Sequence, residues 1–82
     1  MSKVAVVFKI YSKDGEFDKC VSELKEKMKP VGMQTEEIGF GIKIIKVLFK
    51  FDDTETSSSK IEEQLKQLQS ISEVEVYEES LL

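Results

Sequence analysis

Ile42-Lys43-Ile44-Ile45-Lys46-Val47-Leu48-Phe49-Lys50-Phe51 decides the fold of this 82-residue chain. Side chains alternate between the two faces of a β-strand, so Ile45, Val47, Phe49 and Phe51 share one face while Ile42, Ile44, Lys46, Leu48 and Lys50 share the other. The first row is wholly apolar and is expected to meet the core. The second row mixes large aliphatic side chains with lysine and suits a less covered face.

Working outward from this strand, Val4-Ala5-Val6-Val7-Phe8-Lys9-Ile10-Tyr11 is β-branched and aromatic with little interruption by charge, as in a central strand. Ser12-Lys13-Asp14-Gly15 closes it with turn residues. Phe17, Val21, Leu24 and Met28 then recur at helical spacing, with Lys25, Lys27 and Lys29 near the C-terminal end, and Pro30 and Gly32 stop the helix. Met33 to Ile38, rich in polar residues, is expected to be an edge strand. Beyond Phe51, residues Asp52 to Ser59 form a polar loop, and Ser59-Lys60-Ile61-Glu62 has the pattern of a capping box that opens a second helix. Ile61, Leu65 and Leu68 are its buried stripe, and Glu73-Val74-Glu75-Val76-Tyr77-Glu78 alternates as a last strand.

The order βαββαβ, with right-handed crossovers, favours an α+β ferredoxin-like sandwich: a four-stranded antiparallel sheet with two helices on one face. Strands one and three are then central and strands two and four are edges, whose charges resist edge-to-edge aggregation. The other sheet face, carrying Ala5, Val7, Ile44 and Leu48, is expected to stay open. One domain, residues 1–82, is the expectation, because a chain this short supports a single core. With 40% hydrophobic and 34% charged residues, the composition is that of a folded, soluble domain rather than a disordered chain.

Several function classes are weakened by what the chain lacks. The net charge is −4, and all 12 basic residues are lysines, with neither arginine nor histidine present. Binding to nucleic acid rests on clustered cations, arginine above all, so direct nucleic-acid binding is not expected. Histidine catalysis and histidine metal ligation are excluded. The single cysteine, Cys20, makes no internal disulfide and has no histidine to activate it, so it reads as a small buried or half-buried side chain. No signal-peptide pattern opens the chain and no apolar run approaches bilayer length, so a cytoplasmic protein without a membrane span is expected. There is no P-loop and no GxGxxG, so no cofactor or nucleotide is expected to bind this chain itself. The adjacent acidic pairs Glu36-Glu37, Asp52-Asp53, Glu62-Glu63 and Glu78-Glu79 stand in polar contexts and read as solvated surface.

Gly39-Phe40-Gly41 differs from all of these. Two glycines give a permissive backbone and remove bulk on both sides of a large apolar ring between strands two and three. The residues alone admit two arrangements: a ring projecting from the hairpin tip, or one folded back onto the end of the sheet.

Ile38-Gly39-Phe40-Gly41-Ile42-Lys43, which follows a polar strand and opens a long apolar one, resembles the Gly-aromatic-Gly-Ile-Lys signature of the elongation factor 1-beta exchange domains. The resemblance extends to chain length, element order, the Asp52-Asp53 acidic loop and the short final strand, and it is to the compact archaeal form. It implies a guanine-nucleotide exchange function in translation elongation, with the GTPase elongation factor 1-alpha as partner and Gly39, Phe40, Gly41, Ile42 and Lys43 at the partner-binding site. In that family the ring matching Phe40 enters an apolar pocket of the GTPase. Eukaryotic members carry a lysine beside a final leucine that is thought to disturb the Mg²⁺ site. This chain ends Glu79-Ser80-Leu81-Leu82 with no lysine after Lys66, so no residue is assigned that task.

Two other uses of the same fold are a self-associating module and an RNA-recognition domain. The RNA signature needs a basic residue where Ile38 stands and aromatics where Ile42 and Ile44 stand. A monomer is expected of the free exchange domain.

Overall fold

Val4, Val6, Phe8 and Ile10 all point to one side of the first strand, and this row organises the molecule. The structure is a computed structural model that describes residues 2–82. Its elements are β1 (Lys3–Ser12), α1 (Phe17–Glu23) continued by a π-helical turn (Leu24–Met28), β2 (Gly32–Glu37), β3 (Lys43–Asp52), α2 (Ser58–Lys66) and β4 (Ile71–Leu81). The strands form one antiparallel sheet in the order β2-β3-β1-β4. This is the ferredoxin-like arrangement, with strands one and three central.

The register Val6↔Phe49, Phe8↔Val47 and Ile10↔Ile45 places the apolar rows of β1 and β3 side by side. They form one cluster with Cys20 and Leu24 of the first helix and with Ile61, Leu65 and Leu68 in and just after the second. The rings of Phe8 and Phe49 meet edge to face at 6.1 Å, a favoured geometry for an aromatic pair. Phe17, Val21 and Met28 pack at the margin of this cluster.

The first helix ends in a way the apolar stripe does not reveal. Its last turn is π-helical, the Lys29 N–H donates to the Leu24 carbonyl at 3.1 Å, and Lys29 adopts φ 47°. A left-handed residue with a long-span backbone bond is a common helix stop, and Pro30 then prevents continuation. Gly32, read as part of that stop, is the first residue of β2.

The capping box expected at Ser59–Glu62 is not formed. Ser57 is the N-cap, and its Oγ accepts from the Lys60 N–H at 3.3 Å. The residue three positions on is therefore a lysine, which cannot return the bond. Ser58 donates its hydroxyl to Glu79 of β4, and Ser59 lies within the first turn. Thr56 to Ser59 could all cap by chemistry, so only the path of the loop selects Ser57.

β4 is longer than its alternating segment, because two bulges let it follow β1 along its whole length. Register shifts lie between Val7 and Phe8 and between Tyr11 and Ser12, leaving Tyr77 and Ser72 as the extra residues. The Ser72 hydroxyl donates to the Tyr11 carbonyl at 3.1 Å. The Nζ atoms of Lys9 and Lys46 each lie 4.5 Å from the centroid of the Tyr77 ring. The sheet face away from the helices carries half-buried Ala5, Val7 and Leu48 as expected, but Ile44, with Tyr11 and Glu36 as cross-strand partners, is only 2% exposed. Among the described residues no helix is long and apolar enough to cross a membrane.

Ser70, the one fully buried hydroxyl among the described residues, ties the first helix to the start of β4. Its Oγ donates to the Glu23 carboxylate, and its carbonyl accepts from the Lys13 N–H at 2.9 Å. The hydroxyl bond is the main reason the Glu23 carboxyl lies below the usual glutamate range, with Lys27 assisting. Because the folded value lies below the unfolded one near 4.3, this stabilisation is present above about pH 4.3 and is lost as pH falls through the folded value. Burial pushes the Cys20 thiol up, so it stays neutral near pH 7. The urea-unfolding gap between wild type and Ser70→Ala is therefore expected to be smaller at pH 3 than at pH 7. In the same assay Leu65→Ala, which empties a fully buried site, is expected to cost about 2–5 kcal/mol at either pH.

Candidate partner-binding site

The three residues Gly39, Phe40 and Gly41 have φ values of 104°, 54° and 76°, so the chain turns left-handed through the whole tip. The Ile38 N–H donates to the Ile42 carbonyl and the Ile42 N–H to the Gly39 carbonyl, each at 2.9 Å. These bonds close a three-residue loop. A side chain added at Gly39 or Gly41 would meet no atom within 4 Å, so it is the backbone and not lack of room that calls for glycine there. Phe40 holds the same left-handed region without that freedom, at a cost of roughly 1–2 kcal/mol.

This backbone throws the Phe40 ring outward. Its exposure is 104%, so it projects from the tip and does not fold back onto the sheet. Ile38 and Ile42, paired at the base of the loop, are 52% and 49% exposed. Among the described residues no other five-residue stretch holds three large apolar side chains this exposed. Isolated exposed apolar residues need no explanation, whereas a contiguous group on a strained backbone is a candidate contact site.

Lys43, the first residue of β3, turns its Nζ over the Phe17 ring at 5.0 Å from the centroid. It belongs to the base of the hairpin and not to its tip. Between the hairpin and the Ser12–Gly15 turn lies a cleft of about 360 Å³, with Tyr11, Phe17, Ile42 and one side of Phe40 along it and Lys13 and Lys43 on its walls. The five residues singled out in the sequence, Gly39 to Lys43, thus sit together at one end of the sheet. Sequence reasoning missed Ile38, Phe17 and Lys13. For Ile38 a signal existed: it and Ile42 flank Phe40 symmetrically, and a three-residue loop places them opposite each other. Phe17 and Lys13 come from the β1–α1 connection, which only the tertiary fold brings to the hairpin.

The Asp52–Ser57 loop and the chain end lie at the other end of the sheet. Strands of ten residues separate the two ends by about 33 Å. Asp52 Oδ1 accepts from the Thr54 N–H at 3.1 Å and from its hydroxyl at 2.8 Å, and these bonds hold its carboxyl below the usual range. Its acidity is spent on shaping the loop. Among the described residues no three Asp, Glu, His or Cys side chains are grouped so as to hold a metal ion.

The family model of the EF-1 guanine nucleotide exchange domain matches residues 5–82, which takes in every element described above except the first two residues of β1. The chain belongs to this family. An elongation factor 1-beta of Aeropyrum pernix is 35% identical over 83 residues, covering 93% of this chain and 92% of that protein. An elongation factor 1-beta of Thermoplasma volcanium is 32% identical over 88 residues and covers both chains completely. The exchange-domain family therefore accounts for the fold, and the Gly39-Phe40-Gly41-Ile42-Lys43 run of this chain lies at the exposed tip and its base.

Because Phe40 touches little in the free exchange domain, Phe40→Ala is expected to leave the urea-unfolding free energy within about 0.5 kcal/mol of wild type. Gly39→Ala forces a Cβ onto a φ of 104° and is expected to destabilise by more than Phe40→Ala in the same measurement.

Proposed function

We propose that residues 1–82 act as one exchange domain that promotes GDP release and GTP reloading on elongation factor 1-alpha during translation elongation. The observation that carries this reading is the fully exposed Phe40 on a left-handed tip, within a chain of the exchange-domain family. The relatives from A. pernix and T. volcanium, matched over nearly all of their length, support the elongation role.

The physical task is differential binding. A protein that binds the nucleotide-free GTPase more tightly than the GDP-bound form weakens GDP by the same factor. No covalent bond is made or broken, so the protein is an exchange factor and not an enzyme. A thousandfold acceleration of release corresponds to about 4 kcal/mol. An exposed aromatic entering an apolar pocket is the usual kind of interface hot spot and supplies about 2 kcal/mol or more. Its placement on a strained, closed loop adds to this, because little conformational freedom remains to be lost when the ring docks. GDP and Mg²⁺ are held on a GTPase by the P-loop and the loops around the metal, so displacing those loops removes phosphate and metal contacts together. Gly39, Gly41, Ile42 and Lys43 serve this task by presenting and flanking the ring. The free domain acts as a monomer in the cytoplasm, with no direct nucleic-acid contact.

Stopped-flow release of a fluorescent GDP analogue from elongation factor 1-alpha checks the reading. Catalytic amounts of the wild-type chain are expected to accelerate release, and Phe40→Ala is expected to lower the effect by about 30-fold or more, as loss of a hot spot implies. No acceleration by the wild-type chain would refute the exchange function.

A further inference from the structure

We propose that the cleft between the Ser12–Gly15 turn and the β2–β3 hairpin is a second contact for the same GTPase, which receives an acidic segment of it and sets the orientation in which Phe40 docks. This rests on the exchange reading and adds a surface to it. Three observations carry it.

The first is continuity. Phe40 and Gly41 form part of the cleft wall, and Phe40 is completely exposed on the free protein. A partner pocket that closes around this ring must bring its rim down beside Ile42 and over the mouth of the cleft. Residues that surround a buried anchor and exclude water from it are a regular part of hot-spot anatomy.

The second is the lining. Phe17, Tyr11 and the half-exposed Ile42 supply an apolar floor of the kind that specific contact sites use.

The third is charge. Lys13 and Lys43 stand on the cleft walls, and neither makes a salt bridge among the described residues; Lys43 rests on the Phe17 ring instead. Among the described residues Asp14 is the one carboxylate in the cleft lining. The cleft lining thus carries one positive charge in excess on a chain of net charge −4, with Glu37 standing opposite Lys43 across the strands. Such a lining fits a carboxylate-bearing surface, and its continuity with Phe40 assigns that surface to the protein that receives the ring, so the occupant is an acidic segment of the GTPase. Charges on an interface rim act mainly on encounter and orientation. The cleft is therefore expected to govern how readily the complex forms, while Phe40 governs how well it displaces nucleotide.

The test is exchange on elongation factor 1-alpha at low ionic strength, titrating each variant and reading both the half-maximal concentration and the saturating rate. Lys13→Glu is expected to raise the half-maximal concentration about tenfold with the saturating rate within about twofold, a gap that narrows as salt is added. Asp14→Lys is expected to lower the half-maximal concentration. Lys25→Glu, an equal charge change on the exposed side of the first helix, is expected to match wild type. Unfolding midpoints close to wild type for all three would show that the fold is intact. If wild type accelerates release and Phe40→Ala does not, yet Lys13→Glu and Asp14→Lys both behave as Lys25→Glu, the cleft proposal falls and the exchange reading stands. A salt-independent loss confined to the saturating rate, or a concentration-dependent dimer in sedimentation that Lys13→Glu dissolves, would equally overturn it. No acceleration by wild type removes both.

Discussion

Pairing of β1 on both of its edges is the constraint on which the rest of the structure depends. Its row Val4, Val6, Phe8 and Ile10 is nearly or wholly buried, and β3 and β4 supply the neighbours that satisfy its backbone. A strand in that position leaves no free edge and one apolar face, so both helices must lie on that face. The chain then has to cross over the same side twice, which fixes β2 and β4 as the outer strands. The ends of β1 also fix the ends of the molecule: the β1–α1 turn is carried to the β2–β3 hairpin because the close of β1 pairs with the start of β3, Tyr11 opposite Ile44.

That geometry separates the core from the exposed hairpin tip along the long axis. The core lies at mid-sheet, where Phe8, Ile45, Val47 and Leu65 exclude water almost completely. The hairpin lies beyond it and contributes little to the core, so it can hold features that would be unfavourable inside: three successive left-handed residues and a large ring surrounded by water. A ring so placed adds nothing to the core, and in the complex proposed above its burial is deferred to the partner. The exposed tip is the part of this exchange-domain fold that the core does not use.

The polar network around Ser70 shows how this end is kept rigid. A buried hydroxyl bonded to Glu23, with its own carbonyl bonded to the Lys13 N–H, joins the first helix, the β1–α1 turn and the start of β4. A buried polar group is tolerated when every bond is made, and here each bond crosses between elements. The cleft wall that carries Lys13 is therefore anchored to the core rather than free to move with its loop.

Much of this was legible in the residues because strand and helix periods are local properties. The alternation of Ile45, Val47, Phe49 and Phe51 and the spacing of Ile61, Leu65 and Leu68 identify the elements and their buried sides, and Gly39-Phe40-Gly41 marks an unusual turn. Such signals determine element type, sheet order and the position of the tip. Tertiary structure alone decided the rest. Which of four consecutive hydroxyl residues caps α2 depends on the path of a loop and on Ser58 reaching Glu79. The bulges at Tyr77 and Ser72 depend on β4 matching the twist of β1. Whether the Phe40 ring stood free or lay back on the sheet depended on φ angles that glycine permits without specifying. The meeting of Phe17, Lys13 and Lys43 at one cleft required strands distant in sequence to pair, because contacts between distant segments are set by packing and register, which no local pattern contains.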